Sequence, residues 1–461
     1  MSVVDTVART PEPRAAPSPS RLGSFDRRAV AALTALVVAV ALPFAFMGPG
    51  FIVDDWRFLA RREFSGVFSA APPWMFFRRP GSWVVVTLLH GLIGAHPLVI
   101  FAVLTSLNAA VVSALYLVAR RFVSPPVALA VAAVWAILPN HTTLSYWPAV
   151  ANATVALLLL IVGVGLLDAR RWALAGAVLV ASSLCYEATI VPAVVAILVV
   201  PAFRRELRLR PTLRLLAVMG VTALWMVLHP TYPLDRRYAR PVAVLPAHFG
   251  SGITTSSTAG RVLALLALAG VAALAWRLRR RARLGQSEWL VIVGVALIPL
   301  GLAAFVKHHF GVVGIADRAY TVSAIGAALV WVGIAGMAWA RSRLLAVVAG
   351  AVFVVLVVPA NLDRQRAYSR AGDDALALVA YIQYRYGDDI PPVVVVGPTE
   401  RRFDGIPSTV GIYHATRLLE YHLGRDDLKM RVSRSFTLFY SVPADRRVTW
   451  AQVDAYRAER E

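Results

Sequence analysis

Apolar residues in this chain do not alternate with polar ones. They come in uninterrupted blocks of roughly 14 to 22, the length at which a helix crosses the hydrocarbon core of a bilayer. Between the blocks, polar residues fall into two kinds of gap that take turns along the sequence. One kind is rich in arginine: Arg27 and Arg28, Arg120 and Arg121, Arg170 and Arg171, "RRELRLRPTLR" from Arg204, "RLRRRAR" from Arg277, and Arg341 with Arg343. Loops that stay in the cytoplasm carry the excess of Lys and Arg, so the alternation predicts a polytopic helical membrane protein with its N-terminus inside.

That assignment predicts about 11 transmembrane helices. The first runs from Ala29 to Met47 and ends outside, leading into a long loop. Within the loop, "GSWVVVTLLHGLIGA" is short for a span and fits a helix lying at the interface. Spans follow at Pro97–Ala119, Pro125–Leu138 and Asn152–Leu167. The block from Trp172 to Val200 is too long for one crossing and is interrupted by "CYEA", which predicts two short spans turning at Tyr186–Glu187. Later spans are expected at Leu213–Leu228, Ala259–Trp276, Glu288–Phe305, Ala319–Trp339 and Leu344–Pro359. From Asn361 the chain becomes charged and mixed. "AGDDALALVAYIQYRY" and "GIYHATRLLEYHL" have helical periodicity, "PPVVVVGP" reads as a buried strand, and strands are expected near "KMRVSRSFTLFYSV". The organisation is therefore a disordered basic cytoplasmic N-terminus (1–28), an all-α membrane domain (29–360) with its first outer loop at 48–96, and a small extracytoplasmic α/β domain (361–461).

Composition agrees: 58% of the 461 residues are apolar and 16% are charged. A net charge of +21 on a soluble surface would suggest nucleic acid. Here topology accounts for it, and no nucleic-acid partner is expected. The single cysteine, Cys185, excludes an intramolecular disulfide and argues against a cysteine metal site. The first apolar block ends in "FAFMGPGF", without a small-residue cleavage site, so it reads as a retained anchor. Asn-x-Thr matches at Asn140 and Asn152 are weak patterns.

The unusual polar residues gather on the outer side: Asp54, Asp55, Arg78, Arg79, His141, Glu187, His229, Arg236, Arg237, Lys307, His308, His309, Asp317 and Arg318. Charges next to spans are costly when they face lipid, so these should line a protein cavity. Asp54 and Asp55 are neighbours, and on a helix neighbours point about 100° apart. One can face a cavity as a base while the other orients it, pairs with an arginine or holds a divalent ion with water. A partly desolvated carboxylate has a raised pKa suited to general-base work. Arg78 and Arg79 in "FFRRPGSW" suit either bidentate binding of phosphate or interfacial snorkelling. Asp317 and Arg318 in "GIADRAY" fit either a phosphate contact or a loop ion pair.

The order of these segments resembles the GT-C superfamily of membrane glycosyltransferases that use polyprenyl-phosphate sugars. "FIVDDW" follows the first helix. Next comes "FRRPGSWVVVTLLHGLIGAHPLVIFAVLTSLNAAVVSALYLVARR", similar to the family's Arg-Pro loop, interfacial helix and second span. "AVAAVWAILPNHTTLSYWPAVANATVALLLL", "SSLCYEATIVPAVVAIL" and "GIADRAY" are similar to later segments, over about residues 29–340 in all. The sequence differs from the family pattern at Tyr186, at Asn140–His141, and at Ala319 before Tyr320. The resemblance implies an inverting transfer at the outer face of the plasma membrane, from a polyprenyl-phosphate sugar to a cell-envelope acceptor. It makes Asp54 or Asp55 the base, with the first slightly favoured. Arg78, Arg79 and Arg318 would hold the donor phosphate, and Glu187, His141 and Asp317 would line the cavity or meet the acceptor. Arginines can neutralise a monophosphate unaided, so no metal ligand is assigned. The C-terminal domain, by position, is the expected reader of the acceptor. A lipid or glycan transporter would want broken spans near the midplane and internal repeats, and no repeat is evident. A non-catalytic membrane scaffold is the other alternative.

Overall fold

A computed structural model describes residues 23–205, 208–228, 285–302, 320–397, 401–403, 406–407, 411–432 and 435–460. The first helix, α1 (Ser24–Met47), buries Asp26 and then the stripe Ala29, Leu33, Val37, Ala41 and Phe44, one residue per turn. Its remaining apolar side chains, Val38, Leu42 and Phe46 among them, point outward. This is the pattern of a helix whose other surface is meant for lipid rather than water. Long apolar helices recur at α5 (Pro97–Ala119), α8 (Ala151–Asp168), α13 (Ser323–Arg341) and α14 (Arg343–Tyr386). Shorter ones lie at α6 (Pro125–Ile137), α9 (Trp172–Cys185), α10 (Ile190–Phe203) and α12 (Gln286–Leu302), with a single turn α7 at Thr143–Tyr146 and α11 at Leu209–Leu228. The chain is a multi-pass helical membrane protein. The expected span over Ala259–Trp276 lies outside the described residues.

The split of the Trp172–Val200 block is as the sequence implies: α9 ends at Cys185, a short turn spans Glu187–Thr189, and α10 begins at Ile190. Ion pairs gather the arginine-rich helix ends at one face of the bundle. Asp26 pairs with Arg120 and accepts from the Tyr116 hydroxyl at 2.8 Å. Asp168 takes Arg204 at 2.7 Å and Arg121 at 3.3 Å. The ends of α1, α5, α8 and α10 that carry positive charge are thus cross-linked to one another. Residues 48–96 and Glu187 belong to the opposite end.

That opposite end is built from α2 (Asp54–Ser65), α3 (Pro73–Arg78), α4 (Pro80–Val86) and a wide π-type continuation of α4 over Thr87–Ile93. Val84, Leu88 and Leu92, four residues apart, form an exposed apolar stripe on this α4 unit. Its other face buries Ser82, Val85, Val86, Leu89 and His90. An apolar outward face on a helix too short to cross is what an interfacial helix presents to lipid.

The 44 residues of α14 make a rod of about 66 Å. It runs without interruption across Pro359 and residue 361, where the sequence suggested a domain edge. A proline inside a helix removes one hydrogen bond and strains the turn before it, and here the helix continues. Beyond Asn361 its buried side chains include Arg364, Gln365, Ser369 and Asp374. Gln365 donates to the Val40 carbonyl at 2.7 Å and to the Tyr146 hydroxyl at 2.8 Å, and Ser369 donates to the Met47 carbonyl at 2.6 Å. This second half therefore grips the end of α1.

On α14 rests a three-stranded parallel sheet of order β4–β1–β5, from β1 (Val393–Gly397), β4 (Lys429–Val432) and β5 (Arg447–Thr449). A two-stranded hairpin, β2 (Arg402–Phe403) with β3 (Ile406–Pro407), leads to α15 (Gly411–Leu423). Helices α16 (Phe436–Tyr440) and α17 (Trp450–Ala458) complete the unit. The Val393–Val396 run is buried as the central strand of a parallel sheet must be. Among the described residues of "KMRVSRSFTLFYSV", the expected strand character holds at Lys429–Val432. Phe436–Tyr440 turns helical after the extended Ser435, and the third strand comes later, beyond Pro443.

Candidate functional site

The stretch before α2 is unusual in its backbone. Val53 has φ 48°, a left-handed conformation that a β-branched residue adopts only under strain. It is fully enclosed, and Asp54 and Asp55 follow as the first residues of α2. Here the helix separates the acidic pair. Asp55 is completely buried: its Oδ1 is 2.9 Å from His90 Nε2, and its Oδ2 accepts the Ile52 N–H at 3.0 Å. Burial pushes the Asp55 carboxyl above the usual carboxylate range, against the opposing pull of His90 and the Ile52 N–H. Asp54 is half-buried on the other flank. The two carboxylates are neither equivalent nor both solvated.

The periodicity of α2 explains the separation. Asp55, Phe58 and Leu59 lie on one face and are buried, while Asp54, Arg57 and Arg61, three and seven residues on, share the half-buried face. Arg57 sits 5.7 Å from the Trp74 ring, and Arg61 Nε donates to the Ser69 carbonyl at 3.0 Å. At the far end of α2, Arg62 Nε donates to the Gly91 carbonyl at 2.8 Å. The α4 unit therefore holds α2 at both ends, through His90 and Gly91. Sequence reasoning missed both His90 and Arg57. The signal for Arg57 was its spacing from Asp54; for His90 it was a lone titratable residue on the buried face of an otherwise apolar helix.

A second cluster lies at the start of α4. Arg79 pairs with Glu187, and its guanidinium lies 5.9 Å from the Tyr186 ring. The turn between α9 and α10 is fixed against α4 by Ser82, which donates to the Cys185 carbonyl, and by Asn152. The Asn152 amide donates to Ser82 Oγ at 2.8 Å and to the Cys185 carbonyl at 3.1 Å. Gly81 permits this approach, because a Cβ there would stand 2.9 Å from the Cys185 backbone nitrogen. Two candidates far apart in sequence, Arg79 and Glu187, thus meet. The Arg79 and His90 ends of the α4 unit are separated by a rise of about 16 Å.

Arg78 is half-buried at the end of α3. His141 is buried, stacked 4.2 Å from the Trp135 ring, with its Nδ1 3.1 Å from Asn140 Oδ1. Burial pushes this histidine down to about 3, so it stays neutral near pH 7. It lines a small polar cavity shared with Asn108, Tyr146 and Asn361, in the bundle rather than beside the acidic pair. Asn140 and Asn152 are 1% and 6% exposed, which removes both as glycan attachment points in the folded chain. Asp317 and Arg318 lie outside the described residues, as do His229, Arg236, Arg237, Lys307, His308 and His309. Among the described residues no three His, Cys, Asp or Glu side chains converge as metal ligands.

The C-terminal domain reaches α2 as well. Trp56, next to Asp55, is covered by His422 and Tyr421 of α15, with ring centroids 4.9 Å and 6.0 Å away, and by Phe51 at 5.6 Å. Burial lowers the pKa of His422.

No protein-family model and no curated protein matches the sequence. Among solved structures, the chain is similar to the Archaeoglobus fulgidus oligosaccharyltransferase tethered with an acceptor peptide. The identity is 12%, with 88% of this chain and 63% of that one covered, at a TM-score of 0.46. It is also similar to ArnT from Cupriavidus metallidurans bound to undecaprenyl phosphate, with 15% identity, 93% and 90% covered, and a TM-score of 0.46. Both belong to the GT-C superfamily. The likeness is remote and concerns the chain trace alone. The chain spans just under two thirds of the length of the oligosaccharyltransferase it matches.

Proposed function

We propose that this protein is an inverting glycosyltransferase of the plasma membrane, moving a sugar from a polyprenyl-phosphate donor to an extracytoplasmic cell-envelope acceptor, with Asp54 as general base. The observation that supports this reading is the division of labour within the acidic pair. Both oxygens of Asp55 are taken up, one by His90 and one by the Ile52 N–H. The neighbouring carboxylate, Asp54, starts the same helix on its half-buried face. A general base works from a partly desolvated setting, and Asp54 heads α2 on its half-buried face.

In the reaction, Asp54 accepts the proton of the acceptor hydroxyl as its oxygen attacks the anomeric carbon. The bond from that carbon to the phosphate oxygen breaks, and its electron pair leaves with the phosphate. Attack and departure on opposite faces give inversion. Guanidinium groups near the leaving phosphate stabilise the charge that grows there. Arg78, Arg79 and Arg318 are the candidates. Arg79 must exchange part of its contact with Glu187 for the donor phosphate, a singly charged diester that gains its second negative charge only as it leaves the sugar. Glu187 thereby sets the geometry of Arg79, and Asp317 is assigned to the cavity wall, while His141 lines the separate cavity within the bundle.

The test is transfer from a radiolabelled polyprenyl-phosphate sugar to a crude envelope acceptor by purified protein, beside Asp54→Asn and Asp55→Asn variants. Asp54→Asn is expected to lose transfer by 100-fold or more, within the ~10²–10⁴ that a general base contributes. Full activity in that variant would overturn the assignment of the base.

A further inference from the structure

Asp55 and His90 form an enclosed couple whose purpose the proposed reaction leaves unexplained. Both side chains are 0% exposed, and the imidazole is walled by Phe58, with ring centroids 5.0 Å apart, and by Phe51 at 6.5 Å. His90 Nδ1 is buried and has no hydrogen-bond partner among the described residues. An unsatisfied buried nitrogen is destabilising, and a leucine would fill an apolar pocket of this kind without that cost. A polar couple placed there needs another role. Its position supplies one: Asp55 bridges from His90 on the α4 unit to the Ile52 N–H, across the strained Val53 and beside Asp54.

We propose that His90 is a positioning residue for sugar transfer. By holding the Asp55 carboxylate it clamps the Ile52–Val53–Asp54 backbone, and so fixes the direction in which the Asp54 carboxylate leaves the first turn of α2. This rests on the reading of Asp54 as the base. The clamp has three parts: a carboxylate with both oxygens committed, a histidine carried by a different helix, and a left-handed valine between the two anchored points. A left-handed valine relaxes to an extended or helical conformation once its neighbours release it, and that rotation would re-aim the next side chain. His90 touches neither donor nor acceptor in this scheme and acts only through Asp55.

The experiment compares His90→Leu, His90→Gln and Asp54→Asn in the full-length purified protein. Two readouts are taken: kcat and donor KM for transfer, and amide hydrogen exchange over residues 48–58. In His90→Leu the Ile52 amide is expected to exchange at least tenfold faster. The kcat should fall by about 10- to 100-fold, the scale of a misaligned catalytic group, with donor KM within about twofold of the parent. His90→Gln, whose side-chain amide can donate to the same carboxylate, should recover most of both. Unchanged exchange at Ile52 in His90→Leu would overturn the clamp itself. Faster exchange with an undiminished kcat, while Asp54→Asn is inactive, would overturn the positioning role and leave the base assignment standing. An active Asp54→Asn would instead remove the base, and with it any role of His90 in aiming it.

Discussion

A methyl group added at Gly372 would stand 3.0 Å from the Cα of Gly50 and 3.6 Å from its carbonyl carbon. Both neighbours are backbone, so no side chain can swing aside. The loop cannot easily retreat either, since Ser369 holds the Met47 carbonyl and Asp55 holds the Ile52 N–H. Overpacking of this kind costs about 1–3 kcal/mol. Replacing glycine by alanine within a helix contributes about 1 kcal/mol the other way. Gly372→Ala should therefore be neutral to destabilising by about 2 kcal/mol. Gly350 provides the control: it lies in the same helix, exposed, with no atom of the described residues within 4 Å of an added Cβ. Gly350→Ala keeps the helix-propensity gain without the clash, so the two substitutions should move the thermal midpoint apart by the full clash energy. Unfolding followed by tryptophan fluorescence in detergent measures this. Transfer should also fall several-fold in Gly372→Ala and not in Gly350→Ala, because the displaced loop leads directly into Asp54. Equal midpoints and equal activities in the two variants would refute the close approach of α14 to the loop and the reasoning built on it.

Two further outcomes are expected. Burial lowers the pKa of His422 from the ordinary 6.5, so the undocked state takes up its proton first as the solution is acidified. The contact of α15 with Trp56 is then fully stable above the ordinary histidine range and weakens as pH falls below it. Hydrogen exchange over residues 411–423 at pH 7 and pH 5 should show this, and His422→Phe, which preserves the ring contact, should abolish the difference. Asn152→Ala removes the amide that joins Ser82 Oγ to the Cys185 carbonyl. It should cost about 1–3 kcal/mol in chemical denaturation, with a rise in donor KM as Glu187 and Arg79 lose their fixed geometry. An unchanged denaturation midpoint would show that the turn is held by other contacts.

Block lengths and arginine spacing carried the architecture, because lipid forces a continuous apolar run and an asymmetric charge on its ends. Hence the expected Pro97–Ala119 span has the same limits in the structure, and the Tyr186–Glu187 turn falls where the over-long block is broken. The end of α14 was less legible. Pro359 and the polar residues after it suggested a stop, yet Asn361, Gln365 and Ser369 are polar because they bind backbone carbonyls and hydroxyls of neighbouring segments. Side chains that satisfy tertiary partners look, in one dimension, the same as side chains that face water. The pairing of Arg79 with Glu187 is hidden for a similar reason: 108 residues separate the two, and nothing in one dimension joins a cation to its carboxylate.

The acidic pair shows which kind of information was missing. Neighbour geometry on a helix already required the two carboxylates to diverge, but their roles depend on which flank of α2 meets the α4 unit. The faces Asp55–Phe58–Leu59 and Asp54–Arg57–Arg61 settle that once α2 is known to be a helix. What periodicity could not supply is that three separate parts of the chain meet α2 or the loop leading into it: His90 from the α4 unit, Gly372 from α14 against Gly50, and His422 with Tyr421 from α15. Two of these three lie beyond residue 360. Deleting the C-terminal domain to ask whether it reads the acceptor would therefore also release the helix that carries Asp54, and a loss of transfer would have two causes. Substitutions on surfaces of the domain remote from α15 and from residues 361–382 separate them. A change in acceptor choice with Trp56 fluorescence unaltered belongs to recognition, and a uniform fall in kcat with altered fluorescence belongs to the scaffold.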